Sequence, residues 1–206
     1  MEPKKHWEQV YETKEPDAVS WYTAHLDTSL QYIKSTGLAA QQASIIDVGG
    51  GESTLVDDLL AAGYRNVIVL DISEKALGVA AARLGSRANE VTWIAADVLE
   101  YRFVEASVDI WHDRAVFHFL TTDEQRQAYV AQVLKALRPG GFAIVGTFGP
   151  NGPEKCSGLP VMRYAPDSLH NTFGARFTLV EHAVEMHTTP WGSPQEFVYC
   201  FCRREI

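Results

Sequence analysis

Three groups of residues in this 206-residue chain have types and spacings suited to holding a ligand or moving a proton. The first is Asp47-Val48-Gly49-Gly50-Gly51, which closes a short apolar run, Ile45, Ile46 and Val48. Consecutive glycines allow positive φ and let a ligand approach the backbone, because no Cβ stands in the way. Asp71 follows Gly51 by 20 residues and ends a second apolar run, Val67 to Leu70. An acid at that point is placed to accept hydrogen bonds from ribose hydroxyls. The second group is Asp97 with Val98, just after a third run, Val91 to Ala95. The third is the polar segment His112 to Phe119, where His112, Asp113 and His118 offer groups that take or hold a proton.

The elements that must position these residues alternate in type. Leu55, Val56, Leu59 and Leu60 have helical spacing, and Gly63 ends that helix. Ser73 caps a second helix running to Leu84 and Gly85. A fourth strand is expected over Ser107–Trp111, with the polar segment beyond its end, where ligands bind in open α/β sheets. Two overlapping capping boxes, Thr121 with Glu124 and Thr122 with Gln125, start a helix through Tyr129, Val133 and Leu137. Arg138-Pro139-Gly140-Gly141 leads into a fifth strand, Phe142 to Thr147. Residues 148–165 read as a loop at the rim of a pocket, Pro166 opens a short helix ended by Gly174, and Phe177–Met186 and Glu196–Cys202 read as the last strands. Ahead of the sheet, residues 5–40 read as helical, broken at Glu15-Pro16-Asp17, with a Trp7, Val10, Tyr11 stripe and a second pattern at Leu26, Leu30 and Ile33.

The glycine fingerprint departs from the dinucleotide pattern, since Thr54 stands where a third glycine would pack a helix beside a pyrophosphate. The order Asp-x-Gly-x-Gly, a ribose acid, an acid after the third strand, a polar segment after the fourth and a Leu-Arg-Pro-Gly-Gly turn resembles class I S-adenosylmethionine-dependent methyltransferases, of a compact bacterial type, over about residues 40–150. The resemblance implies an α/β, Rossmann-like, seven-stranded and mostly parallel sheet. Its last strand would be antiparallel, inserted between the fifth and sixth, with helices on both faces. It also implies an N-terminal helical lid over residues 1–40, packed on a methyltransferase domain over 41–206. S-adenosyl-L-methionine is then the cofactor, held by Asp47, Gly49, Gly50, Gly51, Asp71, Ile72, Asp97 and Val98, with Asp97 facing the adenine amino group. Trp21 and Tyr22 on the lid, rather than Trp7, and Phe117 after the fourth strand would enclose the acceptor. Asp113, His112 and His118 are the candidate bases, because an oxygen, nitrogen or sulfur acceptor must lose a proton.

Composition narrows the acceptor. The net charge of −8 and the lack of a basic cluster argue against nucleic acid. No apolar run spans a membrane and the first residues lack a signal-peptide core, so a cytoplasmic protein is expected. His-Asp-Arg-Ala at 112–115 replaces the Pro-containing motif of enzymes that methylate exocyclic amino groups of bases or amides. A small-molecule acceptor fits best. Protein lysine methylation is the alternative, and a non-catalytic cofactor-binding partner subunit is the alternative from another class. Cys156, Cys200 and Cys202 have no zinc spacing and read as small buried hydrophobes, with no metal expected.

Overall fold

A computed structural model describes residues 2–206. Seven strands form one sheet: β1 Ser44–Val48, β2 Asn66–Asp71, β3 Val91–Ala95, β4 Val108–Arg114, β5 Leu137–Phe148, β6 Phe177–Thr188 and β7 Pro194–Arg204, in the order β3-β2-β1-β4-β5-β7-β6. The pairs from β3 through β5 are parallel, and β7 runs antiparallel to both β5 and β6. This is the Rossmann-like arrangement the sequence implied.

The apolar runs become central strands because helices cover both faces of the sheet. Ile45, Ile46, Val48 and Ile110 are all buried. On one face, Trp111, Phe117, Val133 and Phe173 form a core under α5 Asp123–Ala136 and α6 Pro166–Phe173. On the other, Ile33, Leu55, Leu59 and Phe197 form a core under α2 Asp27–Ser35 and α3 Leu55–Ala61. Both capping boxes at α5 compete for one helix start, and the structure resolves them to Thr122 and Gln125: Gln125 N donates to Thr122 Oγ1 at 3.3 Å and Thr122 N to Gln125 Oε1 at 3.2 Å.

Four strands, β4 to β7, run past their expected ends, and one of these changes the site. β4 continues through His112, Asp113 and Arg114, whose backbones pair with β5 at Ile144, Val145 and Gly146. The polar segment is therefore partly strand, not wholly the loop beyond it; hydrogen-bond partners inside the fold let its buried polar side chains stay there. β5 begins at Leu137 and absorbs the Arg-Pro-Gly-Gly turn through a register shift opposite Val108 and Ile110. Gly141 makes this possible, since a Cβ there would lie 2.8 Å from the Asp109 carbonyl oxygen. The 148–165 loop contains a short ribbon, Lys155–Cys156 against Leu159–Pro160.

Helix α1, Pro3–Thr13, is held over the carboxyl ends of the strands through α4, Glu74–Leu84. Glu8 on α1 accepts from Glu74 N at 2.8 Å and from Ser73 Oγ at 3.0 Å, while Ser73 Oγ caps Ala76 N at 3.2 Å. A carboxylate among the free N–H groups at a helix start is favourable. No described helix is long and apolar enough to cross a membrane. Replacing Thr122 with Ala removes the cap of α5 and should lower unfolding free energy by about 1 kcal/mol in urea titration, with the m-value unchanged; an unchanged midpoint would show that packing alone sets this helix start.

Candidate functional site

The carboxyl ends of β1, β2 and β3 and the underside of α1 enclose a cavity of about 270 Å³. Its floor includes Gly49, Asp71, Ile72, Asp97 and Val98, and its walls include Trp7, Tyr11, Trp21 and Phe119. A smaller cavity of about 40 Å³ adjoins it, lined by Asp47, Gly49, Gly50, Glu52, Tyr22 and His112 among others. Arg114 and Trp21 line both.

The glycine loop is shaped by its neighbours. Gly49 and Gly50 both donate to the Leu70 carbonyl, at 2.7 and 3.3 Å, which folds the loop back onto β2. Gly49 has φ +68°, and a Cβ on it would stand 1.9 Å from Val116 Cγ2. A Cβ on Gly51 would lie 2.8 Å from the Tyr11 hydroxyl and 3.2 Å from Asp71 Oδ2, so the missing side chain lets α1 and the acid pack closely on the loop. Thr54, in the place of a third glycine, donates from its hydroxyl to Ala24 O at 2.8 Å and so ties the loop to the segment before α2.

Asp71 is buried, and one carboxylate oxygen accepts from Ser73 N at 2.8 Å. Burial pushes its carboxyl up to about 7, and backbone hydrogen bonds from Ser73 and Gly51 pull against that shift. Asp97 accepts from Leu99 N at 2.8 Å, which orders the turn after β3. These placements fit an adenosyl group: Gly49, an acid at the end of β2 and a second acid after β3 all face one cavity. Asp47 and Gly50 line the smaller cavity instead, and Gly51 meets Asp71 from below.

The expected bases occupy other positions. His112 is buried, with Nδ1 2.7 Å from Asp47 Oδ1 and Nε2 2.8 Å from Ser29 Oγ, so both ring nitrogens are engaged. Asp113 is fully buried and lines neither cavity. It accepts from Val116 N at 2.9 Å, Phe117 N at 3.1 Å and the Tyr129 hydroxyl at 2.5 Å, and Tyr129 in turn accepts from Trp111 Nε1 at 2.9 Å. Burial raises its carboxyl to about 6 against those bonds. Asp113 therefore holds the turn after β4, where Ala115 has φ +74°, rather than meeting a ligand. His118 is likewise buried outside both cavities. Its Nδ1 accepts from Phe148 N at 3.3 Å, and burial, then the charge of Arg114, lower its pKa to about 3. Phe117 packs against Tyr129, Tyr164 and Phe173 as core, not as a pocket wall.

The lid expectation also changes. Trp21 and Tyr22 line the cavities, but Trp7 does too, edge-on to Trp21 at 6.0 Å and to Phe119 at 5.1 Å. The i, i+4 spacing of Trp7 and Tyr11 was the signal, because it puts both rings on the face of α1 that looks down on the strand ends. Two further residues stand outside the predicted site set, Arg114 although it belongs to the polar segment. Glu52 is largely buried, its Oε2 has no partner, and burial raises its carboxyl to about 7. Arg114 closes β4 between the two cavities. Cys156 also faces the larger cavity, with its thiol pushed up to about 11 by burial. Away from the site, Cys200, Cys202 and His170 bring their ligand-type atoms within 4.8 Å of one another, a grouping that linear spacing did not reveal.

Comparison with known proteins agrees with this fold. Residues 45–141 match the family model described as a methyltransferase domain. The eEF1A lysine and N-terminal methyltransferase of Mus musculus is 26% identical over 145 residues, covering 66% of this chain and 20% of that protein. The chain thus spans about one fifth of the length of the curated relatives it matches. Among solved structures, the N-methyltransferase NodS from Bradyrhizobium japonicum, in complex with S-adenosylhomocysteine, superposes with a TM-score of 0.71 at 17% identity, covering 96% of this chain and 97% of NodS. The Burkholderia thailandensis 1,6-didemethyltoxoflavin-N1-methyltransferase, with bound 1,6-didemethyltoxoflavin and S-adenosylhomocysteine, gives 0.68 at 21% identity, covering 88% and 78%.

The buried His118 yields a pH prediction. Its folded pKa lies below the unfolded value, so its contribution to stability is present above pH ~6.5 and is lost as pH falls toward ~3. His118→Asn keeps an acceptor for Phe148 N and does not titrate. Between pH 7.5 and 4.5, chemical denaturation should show the wild type losing on the order of 2–3 kcal/mol relative to the variant; parallel pH profiles would contradict a neutral buried imidazole.

Proposed function

From the premise that this chain carries a class I S-adenosylmethionine-dependent methyltransferase domain, with S-adenosylmethionine as cofactor, we propose that it methylates a small molecule. The observation that carries this reading is the roof over the larger cavity. α1 and the segment around Trp21 cover the strand ends and leave an aromatic-walled, partly covered pocket. Such walls suit a compact, partly apolar acceptor.

When bound, the cofactor supplies a methyl group on a sulfonium, ready for in-line displacement. The chain's own residues bind and orient. Asp71, ionised, accepts hydrogen bonds from the ribose hydroxyls, and Asp97 and Val98 border the adenine. Glu52, with an unpartnered carboxylate oxygen beside the glycine loop, holds the ammonium of the amino-acid end. Trp7, Trp21 and Phe119 exclude water and place the acceptor, which is the main contribution a protein makes to a displacement of this kind. Cys156 stays a protonated thiol, while Asp113 and His118 are positioning residues behind the wall. The proton of the acceptor is therefore lost before transfer or passed to water, with no side-chain base at the acceptor end.

A second reading is supported by the match to the eEF1A lysine and N-terminal methyltransferase: the acceptor is then an amine on a protein. The two separate by S-adenosylhomocysteine release with the small-molecule and the protein fractions of a cell lysate. The small-molecule fraction should drive turnover; turnover by the protein fraction alone would favour the second reading. Calorimetry tests the cofactor site. Asp71→Asn should weaken S-adenosylhomocysteine binding by about 1.5–3 kcal/mol, the worth of hydrogen bonds to a charged acceptor. Since Asp71 ionises near pH 7, wild-type affinity should rise from pH 6 to 8 and that of the variant should stay flat; equal affinities at every pH would place the ribose elsewhere.

A further inference from the structure

We infer that the acceptor carries an anionic group, a carboxylate, seated on Arg114. This rests on the methyltransferase reading and extends it to the acceptor's chemistry. The Arg114 side chain is only 6% exposed. Its plane lies over the Phe197 ring at 4.1 Å, Nε donates to the Tyr199 hydroxyl at 3.0 Å and Nη1 to the Trp21 carbonyl at 3.0 Å. Three contacts from two segments, β7 and the stretch around Trp21, fix the guanidinium. Nη2 is buried and makes no hydrogen bond. A buried charged donor left unpaired is costly, and a guanidinium edge matches a carboxylate in shape as well as charge.

The one carboxylate near it does not fill that role. Glu185 Oε1 is 3.6 Å from Nη2, beyond hydrogen-bond range, on a side chain 27% exposed, and its other oxygen accepts from the Thr28 hydroxyl at 2.5 Å. The other titratable groups around Arg114 are Tyr199, whose phenol burial pushes up, and His118, His187 and Cys156. Burial, then the Arg114 charge, lowers both imidazoles, and burial keeps Cys156 protonated, so none is an anion. Glu185 pairs with the charge at 3.6 Å but takes no hydrogen bond from it, so the Nη2 donor is left for a ligand to engage.

Position separates the acceptor from the cofactor as the source of that anion. Asp71 and Asp97 stand at the ends of β2 and β3, on one side of the β1–β4 centre. The partners of Arg114, Phe197 and Tyr199 on β7 and Glu185 on β6, stand on the other side, two and three strands beyond β4. Arg114 thus leans away from the nucleoside end and toward the Trp21 and Cys156 end of the larger cavity. With no side-chain base there, an acceptor already ionised on binding also suits the chemistry.

The test uses protein saturated with S-adenosylhomocysteine and two matched probe pairs at pH 7.5, benzoate with benzamide and indole-3-acetate with indole-3-acetamide, measured by calorimetry. At least one acid should bind ten-fold or more tightly than its amide. Arg114→Gln should erase that preference, and Arg114→Lys, which keeps charge and bulk, should retain part of it. Affinity for S-adenosylhomocysteine should stay within two-fold in both variants. No acid preference in either pair overturns the inference. So does a ten-fold or greater loss of S-adenosylhomocysteine affinity in folded Arg114→Lys or Arg114→Gln, which would assign Arg114 to the cofactor's own carboxylate. Failure of the wild type to bind S-adenosylhomocysteine at all would instead sink the methyltransferase reading beneath it.

Discussion

The hydrogen bond between Asp47 and His112 is the contact on which the site depends. It joins adjacent residues of β1 and β4 at the centre of the sheet, with both side chains almost fully buried and 2.7 Å between them. The other ring nitrogen of the imidazole, Nε2, hydrogen-bonds Ser29 Oγ on α2, which pins the N-terminal segment to the strand ends. A Cβ on Gly50 would lie 2.8 Å from Asp47 Oδ2, so the glycine loop rests directly on this carboxylate. Floor, loop and cap therefore share one buried polar connection. Such a network is stabilising only when its members are all satisfied, and removing one partner leaves the others unpaired in a medium that penalises them.

Around that connection the acidic residues divide by what they touch. Asp113 has three donors and no cavity, and its work is the turn after β4. Asp71 has backbone donors on one side and open space on the other. Glu52 has an oxygen with no partner. Burial raises all three carboxyls, yet only those facing a cavity have anything to exchange with a ligand. Arg114 is the counterpart of opposite sign, held rigidly with one nitrogen unused. The site reads as a set of charges whose partners arrive with the ligands.

Much of this was legible in the sequence, because local patterns encode it. Doubly covered strands appear as unbroken apolar runs, helix starts appear as Ser73 and Thr122, and the glycine loop with its two following acids marks the nucleoside end. What failed to show depends on strand length and tertiary contact. Trp111 looked like a strand end because polar residues follow it, and nothing local says that His112 and Asp113 find partners in Asp47, Ser29 and Tyr129. The segment was therefore assigned to catalysis when most of it is buried support. Arg114 lies in the polar segment and Glu52 beside the glycine loop, but nothing local marks either as a ligand contact, since an unpaired buried atom is a property of its surroundings. Trp7 and Tyr11 were visible as a stripe, but a stripe does not say whether it faces a core or a cavity.

The central claim is that α1 roofs a cofactor site built on the glycine loop. Backbone amide exchange with and without S-adenosylhomocysteine tests it directly. Ligand should slow exchange in α1 around Trp7 and Tyr11, in the glycine loop at 48–53 and after β2 and β3 at 71–73 and 96–99, and leave the β6–β7 hairpin turn unchanged. Slowing confined to other segments, or an α1 that exchanges at the same rate in both states, would contradict the account.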